Sequence, residues 1–218
     1  MENTVLTENA YKYILDKILS GSIKPGQRIR EDQIAAEIRT SRTPVREAMN
    51  QLCQKGFITY VKRKGLYCIQ LNHSELEGLI DLRESLEEFM YIQCAKRASQ
   101  DEMKSLNDDI LRFDSLTDKE KRHAELDIAF HIHVAECTHN DYLVKYITEI
   151  ETLLLIVRNN LQSNFKQKDI IEFSWKLHQK IVDAMKRKDV SLIKELNHEH
   201  VQLMRETQLT SDVNKTCI

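Results

Sequence analysis

At 218 residues the chain is long enough for one large or two small domains with real cores, and its 41% hydrophobic and 30% charged residues fit a soluble globular protein. No apolar run approaches the length of a membrane span, and the start MENTVLTENA lacks the basic-then-apolar pattern of a secretory signal, so a cytoplasmic location is expected. The net charge of −2 hides an asymmetry, +5 over residues 1–73 against −7 over 74–218, which suggests a polyanion-binding module joined to something else.

In chain order, TENAYKYILDKILSG places Tyr11, Ile14, Leu15, Ile18 and Leu19 at helical spacing and stops at Gly21. SIKPGQRI is a turn with a Pro-Gly pair. REDQIAAEIRT reads as a short helix with Ile34, Ala35 and Ile38 inward. TSRTPVREAMNQL follows, with Val45, Ala48, Met49 and Leu52 on one face. Pro44 marks the first turn of this helix, where the backbone N–H has no intrahelical acceptor and proline loses no bond. Ser41 or Thr43 is the expected N-cap. KGFITYVKRKGLYCIQL then reads as two strands around the basic turn KRKG. Three helices followed by a hairpin predict a winged helix-turn-helix. Arg42, Thr43 and Arg46 fall at the end of the recognition helix that enters the major groove in this motif, where arginine can fork onto guanine or clamp a phosphate. Lys62, Arg63 and Lys64 form the wing tip, and Gly65 permits the tight turn.

The run GSIKPGQRIREDQIAAEIRTSRTPVREAMNQLCQKGFITYVKRKG resembles the DNA-binding domain of the GntR family of bacterial transcription regulators. The G-x-I-x-P-G turn, the S-R-T-P-V-R-E-A helix, the K-G-F-I boundary and the wing glycine match in order. The resemblance implies Arg42 and Arg46 as the main DNA-contacting arginines, with Ser41, Thr43 and Gly65 near phosphates. Some relatives carry a further operator-reading arginine where this chain has Asp32, which implies a different operator.

Beyond residue 78 there is neither glycine nor proline, and periodicity predicts six helices, about 74–99, 101–116, 118–138, 141–162, 168–187 and 189–209. Ser74, Asp101, Asp118, Asp141 and Asp189 are the expected caps. The tail TSDVNKTCI is expected to fray. The domains are therefore 1–72, a winged helix-turn-helix, and 73–218, an all-α six-helix bundle; the fold class is mostly α. The five cysteines Cys53, Cys68, Cys94, Cys137 and Cys217 form no C-x-x-C pair and read as reduced thiols.

Asp127 and His131, four apart, share one helix face, and His178 and His200 fall on the apolar stripes of two further helices. His198 lies off its stripe and should face outward, and His73, His123, His133 and His139 read as surface, linker or local-packing residues. Each inward histidine, taken singly, could be a hydrogen-bonded core residue. Together with an aspartate whose burial is costly unless paired or ligating, they form a ligand set for zinc, nickel, manganese or a similar divalent ion.

The pattern D-x-x-x-H from Asp127, H-x-x-I-x-x-A-M from His178, and His200 twenty-two residues later resembles the FCD effector domain of the FadR subfamily of GntR regulators. It implies Asp127, His131, His178 and His200 as metal ligands. Six helices look like the vanillate-regulator branch, whose metal-containing relatives bind small organic acids over the metal. Arg83, between Leu79, Leu86 and Met90, is either a helix-surface partner of Glu87 or a cation gripping an effector carboxylate. Arg158 is a second effector candidate. The expected function is a homodimeric, operator-binding repressor of double-stranded DNA, controlled by a small carboxylate effector. Alternatives are a regulator for which the metal itself is the effector, and a metallohydrolase, which lacks an evident general base.

Overall fold

The computed structural model describes the backbone of residues 2–117, 119–158 and 167–209, and the side chains of residues 4–117, 123–157 and 170–206. Asp118, the expected end of a helix at 162, the side chain of Arg158, and the tail with Cys217 lie outside the described residues. The chain divides into two compact units, Met1–Leu71 with Leu153–Leu161, and Asn72–Thr152 with Gln162–Ile218.

The first unit runs α1 (Glu2–Leu19), β1 (Arg28–Ile29), α2 (Glu31–Glu37), α3 (Arg42–Gln54), β2 (Ile58–Val61) and β3 (Gly65–Cys68). Its core is the sum of the apolar stripes: Ala10, Ile14 and Ile18 of α1 pack with Val45, Ala48, Met49 and Leu52 of α3. The sheet has the order β1-β3-β2, all antiparallel, with Ile58 opposite Cys68 and Arg28 opposite Tyr67. Strand β1 escapes the hydrophobic pattern because it is two residues long and alternates only once. Gly26, in the Pro-Gly turn, has φ of 71°, and a Cβ there would collide with Gln70 Oε1. Ser41 is the N-cap of α3 with no side-chain hydrogen bond, and Pro44 sits in the first turn.

Six further helices follow among the described residues: α4 (His73–Arg97), α5 (Gln100–Asp114), α6 (Lys119–Glu136), α7 (Asp141–Arg158), α8 (Gln167–Arg187) and α9 (Val190–Leu209), all in the second unit except the part of α7 from Leu153 on. Helix α4 packs on α6, α8 and α9, while α5 lies against α6 and α8. Met90, Phe113, Phe130, Trp175 and Met185 anchor the core, with Phe113 and Trp175 stacked at 4.2 Å. Three expected caps are displaced. Asn72, rather than Ser74, caps α4 through a capping box with Glu75, and Ser99, rather than Asp101, caps α5 through one with Glu102. Asn140, rather than Asp141, accepts from the Tyr142 and Leu143 N–H groups. At α4 and α5, reciprocal pairing of the cap with the glutamate three residues on satisfies two orphan N–H groups at once, which outcompetes a single cap further in. Asp189 caps α9 as expected. None of the described helices is long and apolar enough to cross a membrane.

Candidate functional site

On the first unit, a concavity of about 560 Å³ is lined by Arg28, Arg30, Arg42 and Arg46, with Glu31, Asp32, Asn50, Tyr60 and Gly65 among the remaining lining residues. The amphipathic pattern of α3 builds it: the apolar stripe turns inward, so Arg42, Arg46 and Asn50, spaced by four, share the outer face. Arg46 is held by a forked pair of contacts to Glu31, its Nη2 donating at 2.8 Å and its Nε at 3.1 Å. Asp32 is paired at 2.8 Å with Arg30.

Of the residues expected to meet DNA, the structure brings Arg42, Arg46 and Gly65 together around the concavity. Ser41 and Thr43 are exposed at the start of α3, and Lys62, Arg63 and Lys64 are exposed at the hairpin tip. The tip turns through left-handed backbone at Arg63 and Gly65, with φ of 63° and 108°. Arg28, Arg30 and Tyr60 were missed. Arg28 lies in, and Arg30 directly follows, a strand that the sequence pattern does not reveal. Asn50 was legible as the next turn beyond Arg46.

The second unit carries the opposite kind of polar site. Asp127, His131, His178 and His200 are all buried, and one ligand atom from each lies within 4.8 Å of the others. Ligands about 2.1 Å from one ion sit at most about 4.2 Å apart, so only small adjustments close the set around a metal. His178 and His200 meet through their Nε2 atoms at 3.0 Å. His131 and His178 approach Asp127 Oδ1 at 3.9 and 3.8 Å. Phe130 stacks on His178 at 4.6 Å and closes one side with apolar surface. Three helices thus supply the cluster: α6 gives Asp127 and His131, α8 gives His178, and α9 gives His200.

Around His131 lies a second layer. Its Nδ1 faces Glu87 Oε1 at 2.8 Å and the Tyr91 hydroxyl at 3.2 Å, while Arg83 Nη2 approaches its Nε2 at 2.9 Å. A donated Nδ1–H bond to Glu87 puts the lone pair on Nε2, where it accepts from Arg83 Nη2; a metal at Nε2 would take the place of that contact. Arg83 is 1% exposed. Its Nε donates to Glu87 Oε1 at 2.9 Å and lies 2.8 Å from Glu151 Oε1. The pair with Glu87 exists, but it is buried rather than on the helix surface.

Burial sets the electrostatics. Burial and the neighbouring histidines hold His178 well below the usual imidazole range, and burial above all lowers His200 to about 3. Both are therefore neutral, as ligation requires. For His131 burial acts downward, but Glu87 and Glu151 outweigh it and raise its pKa. Burial raises the Glu151 carboxyl, against the pull of Arg83. Glu87 and Glu151 share the one Arg83 guanidinium, so this pair of buried carboxylates faces a single cation.

Sequence reasoning named Glu87 only as a helix-surface partner of Arg83, and missed Glu151. Glu151 occupies a stripe position of α7 between Ile147 and Leu154, and a glutamate in an inward stripe was the available signal. His198 is exposed, as expected, and its Nδ1 lies 2.6 Å from Glu84. His133 is half-buried and held by Asp109 at 2.6 Å, and His123 accepts from the Trp175 indole N–H at 3.3 Å, both local packing roles.

The gntR family model of bacterial regulatory proteins matches residues 6–68, and the FCD domain model matches residues 78–203, more than half of the chain. The Nta operon transcriptional regulator of Aminobacter aminovorans is 32% identical over 64% of this chain and 67% of its own length. The gluconate operon transcriptional repressor of Bacillus licheniformis is 27% identical over 84% and 77%. Among solved structures, Escherichia coli McbR/YncC superposes with a TM-score of 0.74 at 15% identity, covering 93% of this chain and 98% of that one. These relatives are regulators rather than enzymes, which removes the metallohydrolase alternative. The two family models follow one another along the chain and the second covers more than half of it, so the chain belongs to the GntR family of transcription regulators that carry an FCD domain.

Proposed function

We propose that the protein is an operator-binding repressor whose affinity for DNA is set by a small carboxylate effector bound over a metal ion in the helical unit. The observation that carries this reading is the convergence of Asp127, His131, His178 and His200 from three helices into one buried cluster. Three imidazoles and one carboxylate suit zinc, nickel or manganese, and the ion supplies Lewis-acid affinity for a carboxylate. Glu87 orients His131 toward the ion, and Arg83 holds the carboxylates behind it in place. In the first unit, Arg42 and Arg46 reach base edges or phosphates, Ser41, Thr43 and Gly65 approach phosphates, and Lys62, Arg63 and Lys64 add sequence-independent attraction. The protein acts in the cytoplasm as a homodimer, because a two-fold dimer presents two recognition helices to a pseudo-palindromic operator.

Purified protein is analysed by native mass spectrometry and by fluorescence anisotropy on DNA from upstream of its own gene. The reading expects a dimer with one divalent ion per chain, and specific binding that an organic acid weakens. Binding governed by metal concentration alone, with no response to any acid, would assign the effector role to the metal. A metal-free monomer that binds no DNA specifically would sink the reading.

A further inference from the structure

The buried charges of the helical unit fall into two unequal halves. One half is Asp127 with three imidazoles, the set that would hold a divalent ion. The other half is Glu87 and Glu151 sharing Arg83; it carries one net negative charge. His131 joins them, its Nε2 3.9 Å from Asp127 and its Nδ1 2.8 Å from Glu87.

The negative half is also short of donors. Arg83 Nε makes its hydrogen bond to Glu87 Oε1, and neither oxygen of Glu151, nor Glu87 Oε2, accepts a hydrogen bond. Glu151 is fully buried. A carboxylate oxygen withdrawn from water without a donor is expensive, and removing that cost is worth more than an ordinary surface hydrogen bond. A second metal does not answer the deficit, because the Arg83 guanidinium already lies between the two glutamates. What fits is one positive charge with N–H donors, placed beside a negative charge directed at the ion.

We propose that the effector of this domain is a small amino acid or aminocarboxylate, its carboxylate taken by the metal half and its ammonium N–H groups donated to Glu151 and Glu87. This rests on the metal-centred effector reading above. A plain carboxylate meets only the first half and brings its negative charge toward two glutamates. The aminated molecule meets both, and its ammonium keeps Glu151 ionised.

The test uses full-length protein loaded with zinc and titrated by calorimetry with pairs differing by one amine: glycine and acetate, β-alanine and propionate, aspartate and succinate, glutamate and glutarate. At least one aminated member is expected to bind tenfold or more tightly than its partner. Glu151→Gln is expected to remove most of that preference while retaining zinc and the affinity for the plain acid. Zinc retained with equal or tighter binding of every plain acid, or with no binding by any of the eight, overturns the proposal and leaves the metal centre standing. Preference undiminished in a folded, zinc-loaded Glu151→Gln protein also overturns it. Failure of the parent protein to retain zinc overturns the metal reading, and the proposal with it. If Glu151→Gln does not fold, the comparison within pairs on the parent protein decides alone.

Discussion

The two polar regions of this molecule use charge in opposite ways. Around α3 the arginines stand in water: the Arg46 side chain is 60% exposed even while paired with Glu31. Around α6, the Arg83 and Glu87 side chains are 2% and 0% exposed. An exposed ion pair gains little over hydration and is screened by salt, so Arg46 can exchange Glu31 for a phosphate or a base edge at small cost. A buried pair has no water to return to, so its members are held by geometry. The first region is therefore free to exchange partners, and the second holds a fixed set.

The largest effect that would break this comparison is expected at Arg83. Arg83→Met keeps much of the volume but leaves Glu87 and Glu151 buried without their cation, and should destabilise the protein by about 3–5 kcal/mol in urea unfolding. A loss below about 1 kcal/mol would mean that water reaches the cluster, and the contrast with α3 would collapse.

His200→Ala is expected to abolish retained metal and the thermal stabilisation that zinc confers, worth about 2.7 kcal/mol at a hundredfold excess over Kd. His198→Ala, two residues away on the exposed side, should do neither. Metal content by mass spectrometry checks both, and equal content in the His200→Ala and parent proteins would defeat the assignment.

On the other region, Arg46→Ala should weaken specific operator binding by about 1–3 kcal/mol if it forks onto a base. The same change should leave urea stability almost untouched, because it removes only an exposed pair. Anisotropy titrations on operator and scrambled DNA read the first effect, and unchanged operator affinity would remove α3 from the role of recognition helix.

The smallest effect is expected at Lys62. Lys62→Ala should weaken all DNA sequences alike and lower the slope of log affinity against log salt by about one. A loss confined to the operator would turn the wing tip from a phosphate contact into a base reader.

Much of this was local and therefore legible. The stripes of α1 and α3, the breaker-free run after Gly78, and the placement of Pro44 in a first turn follow from neighbours within one or two helical turns, and they suffice for the winged helix-turn-helix and the six helices. The inward facing of Asp127, His131, His178 and His200 was readable for the same reason, since each lies on an apolar stripe of its own helix. The caps at Asn72, Ser99 and Asn140 were missed although they too are local: at Asn72 and Ser99 the glutamate three residues on completes a capping box, and at Asn140 the amide oxygen lies one residue ahead of the expected aspartate.

Only the tertiary structure decided what those faces meet. That three helices bring four ligand atoms within 4.8 Å of one another depends on packing between segments far apart in the chain. Whether Arg83 rides on the surface with Glu87 or lies buried between Glu87 and Glu151 cannot be told from an i, i+4 spacing, which is the same in both cases. The two-residue strand β1 exists only because β3 offers it hydrogen bonds. Periodicity records which side of an element is apolar; the partner of a buried charge is chosen by long-range contacts, and there the cost of leaving a charge unpaired selects one arrangement among many.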